Sequence, residues 1–178
     1  SLTVSKEVEC EKCIIDIGTG AGFPGIPLKL NYPEKKITLI DSVNKKLNVI
    51  RSITEKFNLD NLEIIHTRAE ELANNKEYRE KYDVAITRAV SNISTIMEYI
   101  LPFLKVGGKA ICMKGPNFQD ELNESNNAIK ILGGKVEKVE TIFVNNEIER
   151  NLIVVRKIKD TPKQFPRGKG KPQKEPIK

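Results

Sequence analysis

The sequence predicts an open α/β sheet, mostly parallel, with one antiparallel strand. Three observations carry that expectation. Short apolar runs alternate with stretches of helical periodicity along the 178 residues. A glycine-rich turn joins the first run to the first helix. The last two runs face each other across a polar turn, which reads as a hairpin. Five β/α alternations and a hairpin make a seven-stranded sheet with helices on both faces and right-handed crossovers.

Cys13-Ile14-Ile15 opens the sheet, and a helix begins near Pro24, a residue suited to a first helical turn. Ile37–Asp41 is the second strand. Val43, Leu47, Ile50 and Phe57 then recur at helical spacing among Lys45, Lys46 and Arg51. Leu62–His66 is the third strand, and Arg68–Leu72 starts a polar turn and short helix. Tyr82–Thr87 is the fourth strand, ending at Arg88. Ile93–Leu101 is a helix stopped before Pro102, with Gly107-Gly108 read as a turn ahead of a fifth strand, Lys109–Met113. Asn117–Leu132 is a polar helix closed by Gly133-Gly134. Strands at 135–144 and 150–159 flank Asn145-Asn146-Glu147.

The chemistry concentrates after the first strand, in Asp16-Ile17-Gly18-Thr19-Gly20-Ala21-Gly22-Phe23-Pro24-Gly25. Glycines there accept φ > 0 and let backbone approach a nucleoside-bearing ligand closely. Gly20 to Gly25 is a formal G-x-G-x-x-G match, so a nicotinamide-dependent oxidoreductase is the first reading to test. It fits poorly. A dinucleotide pyrophosphate needs backbone N–H donors at the helix start, and Pro24 removes one. Asp16 puts a carboxylate where the anion would sit. That charge suits S-adenosylmethionine, which has a sulfonium and an ammonium and no phosphate. Asp41, at the end of the second strand, is the acid expected to accept ribose hydroxyls in either case. Asp16, Gly18, Asp41, Ala69, Glu70, Arg88 and Lys114 all fall at carboxyl ends of predicted strands, where open α/β sheets bind ligands.

Composition narrows the rest. An apolar content of 39% and a charged content of 30% describe an ordinary globular chain. No run is long enough to span a bilayer and no signal peptide is visible, so a cytoplasmic protein is expected. Cys10 and Cys13 form a lone C-x-x-C with no second ligand pair, and His66 is the single histidine, so no metal is expected. Cys13 and Cys112 read as strand cysteines and His66 as a strand-end residue. Residues 156–178 hold nine of the basic residues against Asp160 and Glu175, a net of +7, while the remainder carries −1. Four prolines and two glycines from 162 onward argue against helix or inner strand there. Residues 1–160 are therefore expected to form the domain and 161–178 a basic tail, either solvated or in contact with RNA phosphate.

These motifs resemble those of the bacterial small-subunit ribosomal RNA methyltransferase G family, also called glucose-inhibited division protein B. The resemblance rests on the Asp16–Gly25 segment, Asp41 with Lys45-Lys46, Arg68-Ala69-Glu70, Thr87-Arg88-Ala89-Val90-Ser91, Lys114-Gly115, and Pro166-Arg167 with the basic tail. It spans essentially the whole chain. The family also carries a helical segment of several dozen residues before the first strand, and this sequence begins just before that strand. The resemblance implies a class I S-adenosylmethionine-dependent fold and methylation of guanine N7 in 16S rRNA of the small ribosomal subunit, by a monomer releasing S-adenosylhomocysteine. It implies cofactor contacts from Gly18, Phe23, Ala69, Glu70 and Arg88, with Asp41 on the ribose; Asp16 and Gly20 belong to the same glycine loop.

Guanine N7 carries an in-plane lone pair and is unprotonated at neutral pH. Its attack on a sulfonium methyl needs no general base, so alignment should supply catalysis. Arg88 is expected on the methionine carboxylate or a substrate oxygen, because an Arg bidentate to guanine O6 and N7 would block the reacting atom. Lys114 is the expected phosphate contact. A non-catalytic RNA-binding module, with the tail as its working part, is the reading from a different class.

Overall fold

The computed structural model describes residues 4–88, 91–144 and 148–178. The expected turn residues Asn145, Asn146 and Glu147, and Ala89-Val90 of the segment after the fourth strand, lie outside them.

Seven strands form one sheet: β1 (Cys13–Ile17), β2 (Lys36–Asp41), β3 (Leu62–His66), β4 (Tyr82–Thr87), β5 (Leu104–Lys114), β6 (Gly134–Val144) and β7 (Ile148–Lys157). Their spatial order is β3-β2-β1-β4-β5-β7-β6. β1 through β5 pair in parallel, and β7 enters antiparallel between β5 and β6. The chain turns back across the sheet at β1, which has β2 on one side and β4 on the other. A crevice opens at the carboxyl ends of the strands at such a switch point.

Strand side chains alternate faces, and each face meets its own helices. Ile15, Ile17, Ala85, Ala110, Cys112, Ile153 and Val155 pack with Ile96, Met97 and Ile100 of α5 (Ile93–Ile100) and Ile129 of α7 (Asn126–Ile131). On the opposite face, Ile14, Ile37, Leu39, Val84, Ile86 and Ile111 meet α1 (Ser5–Val8), α2 (Gly25–Asn31) and α3 (Asn44–Phe57). Only Leu47 and Ile50 of α3 are buried, and Val43 and Phe57, expected on its inner face, are exposed. The helix ends at Asn58 in the left-handed conformation, a common helix stop. Two further helices, α4 (Ala69–Leu72) and α6 (Gln119–Glu124), follow β3 and β5.

Several expected boundaries shift, two of them for physical reasons visible in the chain. β5 begins at Leu104, because Gly107-Gly108 lie inside the strand: Gly107 has φ +90° and the partner register slips between Tyr82 and Val84. A short 3-10 turn, Leu101–Phe103, leads into it. The polar helix splits at Ser125, whose hydroxyl bonds back to the Glu121 carbonyl at 2.7 Å and takes the Ser94 hydroxyl at 3.0 Å.

The tail also departs from expectation. Phe165 is buried in the core cluster, and Pro172 is buried within one helical turn, α8 (Lys171–Lys174), at a first-turn position where its missing N–H costs nothing. Arg79 donates to the carbonyls of Phe165 and Thr161 at 2.8 Å each. Thr95 donates to the Pro172 carbonyl at 2.8 Å. The fully buried Glu98 carboxylate receives the Arg167 backbone N–H, Nε and Nη2 at 2.8, 2.9 and 2.6 Å. The tail is thus packed against α5 through Arg167 and Pro172, while Lys163, Lys169, Lys171 and Lys174 stay exposed. Among the described residues, no helix is long and apolar enough to cross a membrane.

Candidate active site

The glycine loop is fastened from below and from the side. Gly18, Gly20 and Gly22 have φ of +68°, +62° and +94°, which only glycine adopts without strain. From the side, the Gly18 and Thr19 N–H groups donate to the Ile40 carbonyl at 2.9 and 3.0 Å. Asp41 completes that edge: Oδ2 accepts the Gly20 N–H at 2.9 Å and Oδ1 the Val43 N–H at 2.8 Å. From below, Asp16 Oδ2 accepts the Thr19 hydroxyl at 2.7 Å and the Gly25 N–H at 2.9 Å. The residue at 25 must be glycine, because a Cβ there would come 2.2 Å from Leu39 Cδ2 and 2.9 Å from Asp16 Oδ2.

Asp16 is completely buried, and its Oδ1 has no hydrogen-bond partner among the described residues. Burial pushes its carboxyl up to about 6, against the pull of the Thr19 and Gly25 bonds. It stands beneath the loop and is not among the residues that line the cleft above it.

Above the loop lies a cleft of about 290 Å³. Gly18, Asp41, Ala69 and Glu70, all expected as cofactor contacts, line it together, with Ile17 and Ser42 beside them. A Cβ at Gly18 would meet no protein atom within 4 Å, so the backbone itself forms that wall. Glu70 is buried at the start of α4, 3.8 Å from Arg68 Nη1. Tyr99 and Ile96 of α5 close the far side. Gly170 and Gln173 of the tail also line the cleft, and sequence reasoning missed them. Only the density of Pro, Gly and Lys marked that segment, and those signals describe a turn-rich coil and not a wall.

Arg88 and Lys114 do not line this cleft. Both line a shallower neighbour of about 380 Å³ with Gly115, Pro116, Asn117 and Glu121. Arg88 is exposed; its Nε donates to the Phe23 carbonyl at 3.1 Å and its guanidinium lies 5.5 Å from the Phe23 ring centroid. Arg88 thereby bridges the glycine loop and β4, and Phe23 and Gly20 stay on the loop itself. Lys114 Nζ donates to the Ser91 carbonyl and to Glu121 Oε1, each at 2.9 Å. Glu121 in turn accepts the Ile93 N–H, the first of α5.

The remaining reactive side chains stand elsewhere. The buried Cys112 thiol is pushed up to about 12 by its apolar surroundings, which keeps it an inert strand residue. Cys13 lies half-buried at the start of β1, and His66 ends β3 with Nε2 3.1 Å from the Ser42 carbonyl.

Comparison with known proteins bears on the same region. The family model described as rRNA small subunit methyltransferase G matches residues 1–153. The chain is 46% identical over 175 residues to the ribosomal RNA small subunit methyltransferase G of Alkaliphilus metalliredigens, spanning 98% of this chain and 73% of that relative. It is 44% identical over 173 residues to the protein of the same name from Clostridium perfringens strain SM101, spanning 97% and 72%. Among solved structures, an rRNA methylase from Streptococcus thermophilus matches with a TM-score of 0.62 at 20% identity, over 84% of this chain and 88% of that one. A mutant of the 16S rRNA (adenine(1408)-N(1))-methyltransferase from Catenulisporales acidiphilia matches with a TM-score of 0.70 at 11% identity, over 89% and 91%. At those identities the structural likeness speaks for the fold alone: a class I methyltransferase sheet.

Proposed function

The chain belongs to the rRNA small subunit methyltransferase G family, and from that membership we propose that it methylates N7 of a guanine in 16S rRNA of the small ribosomal subunit, using S-adenosylmethionine. The observation that carries the reading is the cleft at the sheet's switch point, where Gly18, Asp41, Ala69 and Glu70 meet.

The residues present fit an S-adenosyl group. Gly18 leaves open space where a side chain would stand. Asp41 spends one lone pair of Oδ2 on Gly20 of the loop and one of Oδ1 on Val43, and an ionised carboxylate has others for a ribose diol. Ala69 and Glu70, at the start of α4, offer backbone N–H and a carboxylate to a base edge. Asp16 holds the loop's shape from beneath and is not assigned a ligand contact. S-adenosylmethionine, when bound, supplies an electrophilic methyl group on a sulfonium.

The chain's own contribution is alignment. Arg88 lines the shallower cleft and is assigned to the methionine carboxylate or a substrate oxygen, with Phe23 as the surface on which it rests. Lys114, expected as a phosphate contact, is better accounted for as a positioning residue. Two of its three N–H donors hold the Ser91 carbonyl and Glu121, and Glu121 in turn holds the Ile93 N–H, which fixes the start of α5. The shallow cleft is then the place for the target guanine.

Calorimetric titration of the protein with S-adenosylhomocysteine and with NAD tests the cofactor assignment. Micromolar binding of the first and none of the second is the expected result. NAD binding without S-adenosylhomocysteine binding would overturn it in favour of the oxidoreductase reading.

A further inference from the structure

We infer that Gln173, from the tail, is a cofactor-contacting residue that reads the adenine edge of the S-adenosyl group. The inference rests on the methyltransferase reading above and adds a wall that the glycine loop and α4 do not supply.

The tail reaches the cleft at one particular end. Its approach runs past α4, where Asn74 Nδ2 lies 3.4 Å from the Pro166 carbonyl, and past Arg79, which holds the Phe165 carbonyl. It is then locked to α5 through Glu98–Arg167 and Thr95–Pro172. Tyr99, on the same helix, lines the cleft together with Ala69 and Glu70, which places the buried acid of α4 near the α5 wall. α4, α5 and the tail therefore converge on the end of the cleft bounded by Ala69 and Glu70, away from the glycine loop. That is the end assigned to the base.

Gln173 arrives there with nothing else to do. It is exposed, and its side-chain amide makes no hydrogen bond to any described residue. Its neighbours in the turn, Pro172 and Thr95, are committed, and so is its own backbone N–H, which donates to the Gly170 carbonyl at 3.2 Å. A glutamine amide carries one acceptor and two donors in a plane. Adenine presents an N6 donor beside an N7 acceptor, and a Gln amide pairs with both at once. A lysine or a carboxylate at this position would satisfy only one of them. The structure thus gives the tail a second use besides its charge: it closes the cofactor cleft and reads the base there.

Affinities for S-adenosylhomocysteine and for its 7-deaza-adenine analogue, which lacks the N7 acceptor, test this in the parent protein and in Gln173→Ala. The parent is expected to prefer the natural ligand by about fivefold, the size of one net hydrogen bond. Gln173→Ala should lose about 25-fold for S-adenosylhomocysteine, two net hydrogen bonds, and only about fivefold for the analogue, which offers the N6 bond alone, so that the preference disappears. Because the residue is exposed, the variant should unfold at the parent's urea midpoint. Unchanged affinity for both ligands, or an equal loss for both, would overturn the assignment of Gln173 and leave the cofactor reading standing. No binding of either ligand by the parent would overturn the cofactor reading, and this inference with it.

Discussion

Arg167→Ala should unlock the tail, and its cost follows from the burial of Glu98. Glu98 is fully buried, and the variant would keep only one of its three donors, the Arg167 backbone N–H at 2.8 Å. The two charge-assisted bonds, from Nε at 2.9 Å and Nη2 at 2.6 Å, would be lost. Removing one partner of a buried pair costs about 3–5 kcal/mol, because it strands the other charge. The Arg167 side chain is 22% exposed, so water would reach part of the vacated space. The lower end of the range applies, about 3 kcal/mol, or a fall in Tm of about 6–12 °C for a chain of this size. Urea unfolding followed by circular dichroism measures it. A second variant isolates the cause. Glu98→Gln placed on Arg167→Ala removes the stranded charge, so the double variant should be more stable than Arg167→Ala alone. A loss below about 0.5 kcal/mol, the level of an indifferent surface change, would refute the reasoning. So would a double variant less stable than Arg167→Ala.

Three further outcomes are expected. Burial raises the Asp16 carboxyl from 3.8 to about 6, so its contribution to stability is whole below about pH 4 and is lost as pH rises through about 6. The unfolding free energy of the parent, from urea titration, should therefore fall relative to that of Asp16→Asn across that window, by about 3 kcal/mol in all; parallel profiles would contradict it. Asp41→Ala should weaken S-adenosylhomocysteine at least about tenfold in calorimetry, since it removes the acceptor that also ties Gly20 and Val43 in place; an unchanged Kd would reduce Asp41 to a strand-end acid. Lys114→Ala should lower kcat about tenfold with the salt dependence of RNA binding unchanged. A slope reduced by about 1 would restore the phosphate contact.

The sheet was legible in the sequence, because its signals are local. Leu62–His66 and Tyr82–Thr87 have the expected bounds, since each apolar run is fenced by polar residues within one or two positions. Gly107-Gly108 misled, because glycine marks a turn and a strand irregularity alike, and only the pairing of Val84 with Lys109 tells which. The cleft was legible in part. Gly18, Asp41, Ala69 and Glu70 sit at strand ends, and parallel pairing of adjacent strands brings those ends together. Arg88 and Lys114 sit at strand ends too, but at the end of β4 it is Thr87 that lines the cleft, and Arg88 and Lys114 line the neighbouring one. The tail was illegible for a physical reason. Its order comes from Arg167 meeting Glu98 and Arg79 meeting the Phe165 carbonyl, contacts 69 and 86 positions apart with no local signature. Proline and lysine content registered the absence of regular structure and said nothing of where the chain would lie.

The central claim is methyl transfer to a single guanine N7. Its most direct test uses labelled S-adenosylmethionine, this protein, and small ribosomal subunits from cells lacking the modification. The RNA is then treated with borohydride and aniline, which cut at 7-methylguanosine. One labelled cut in 16S rRNA, weaker at limiting cofactor when Asp41→Ala replaces the parent, is the predicted result. Label incorporated without a cut, or no label from a protein that binds S-adenosylhomocysteine, would contradict it.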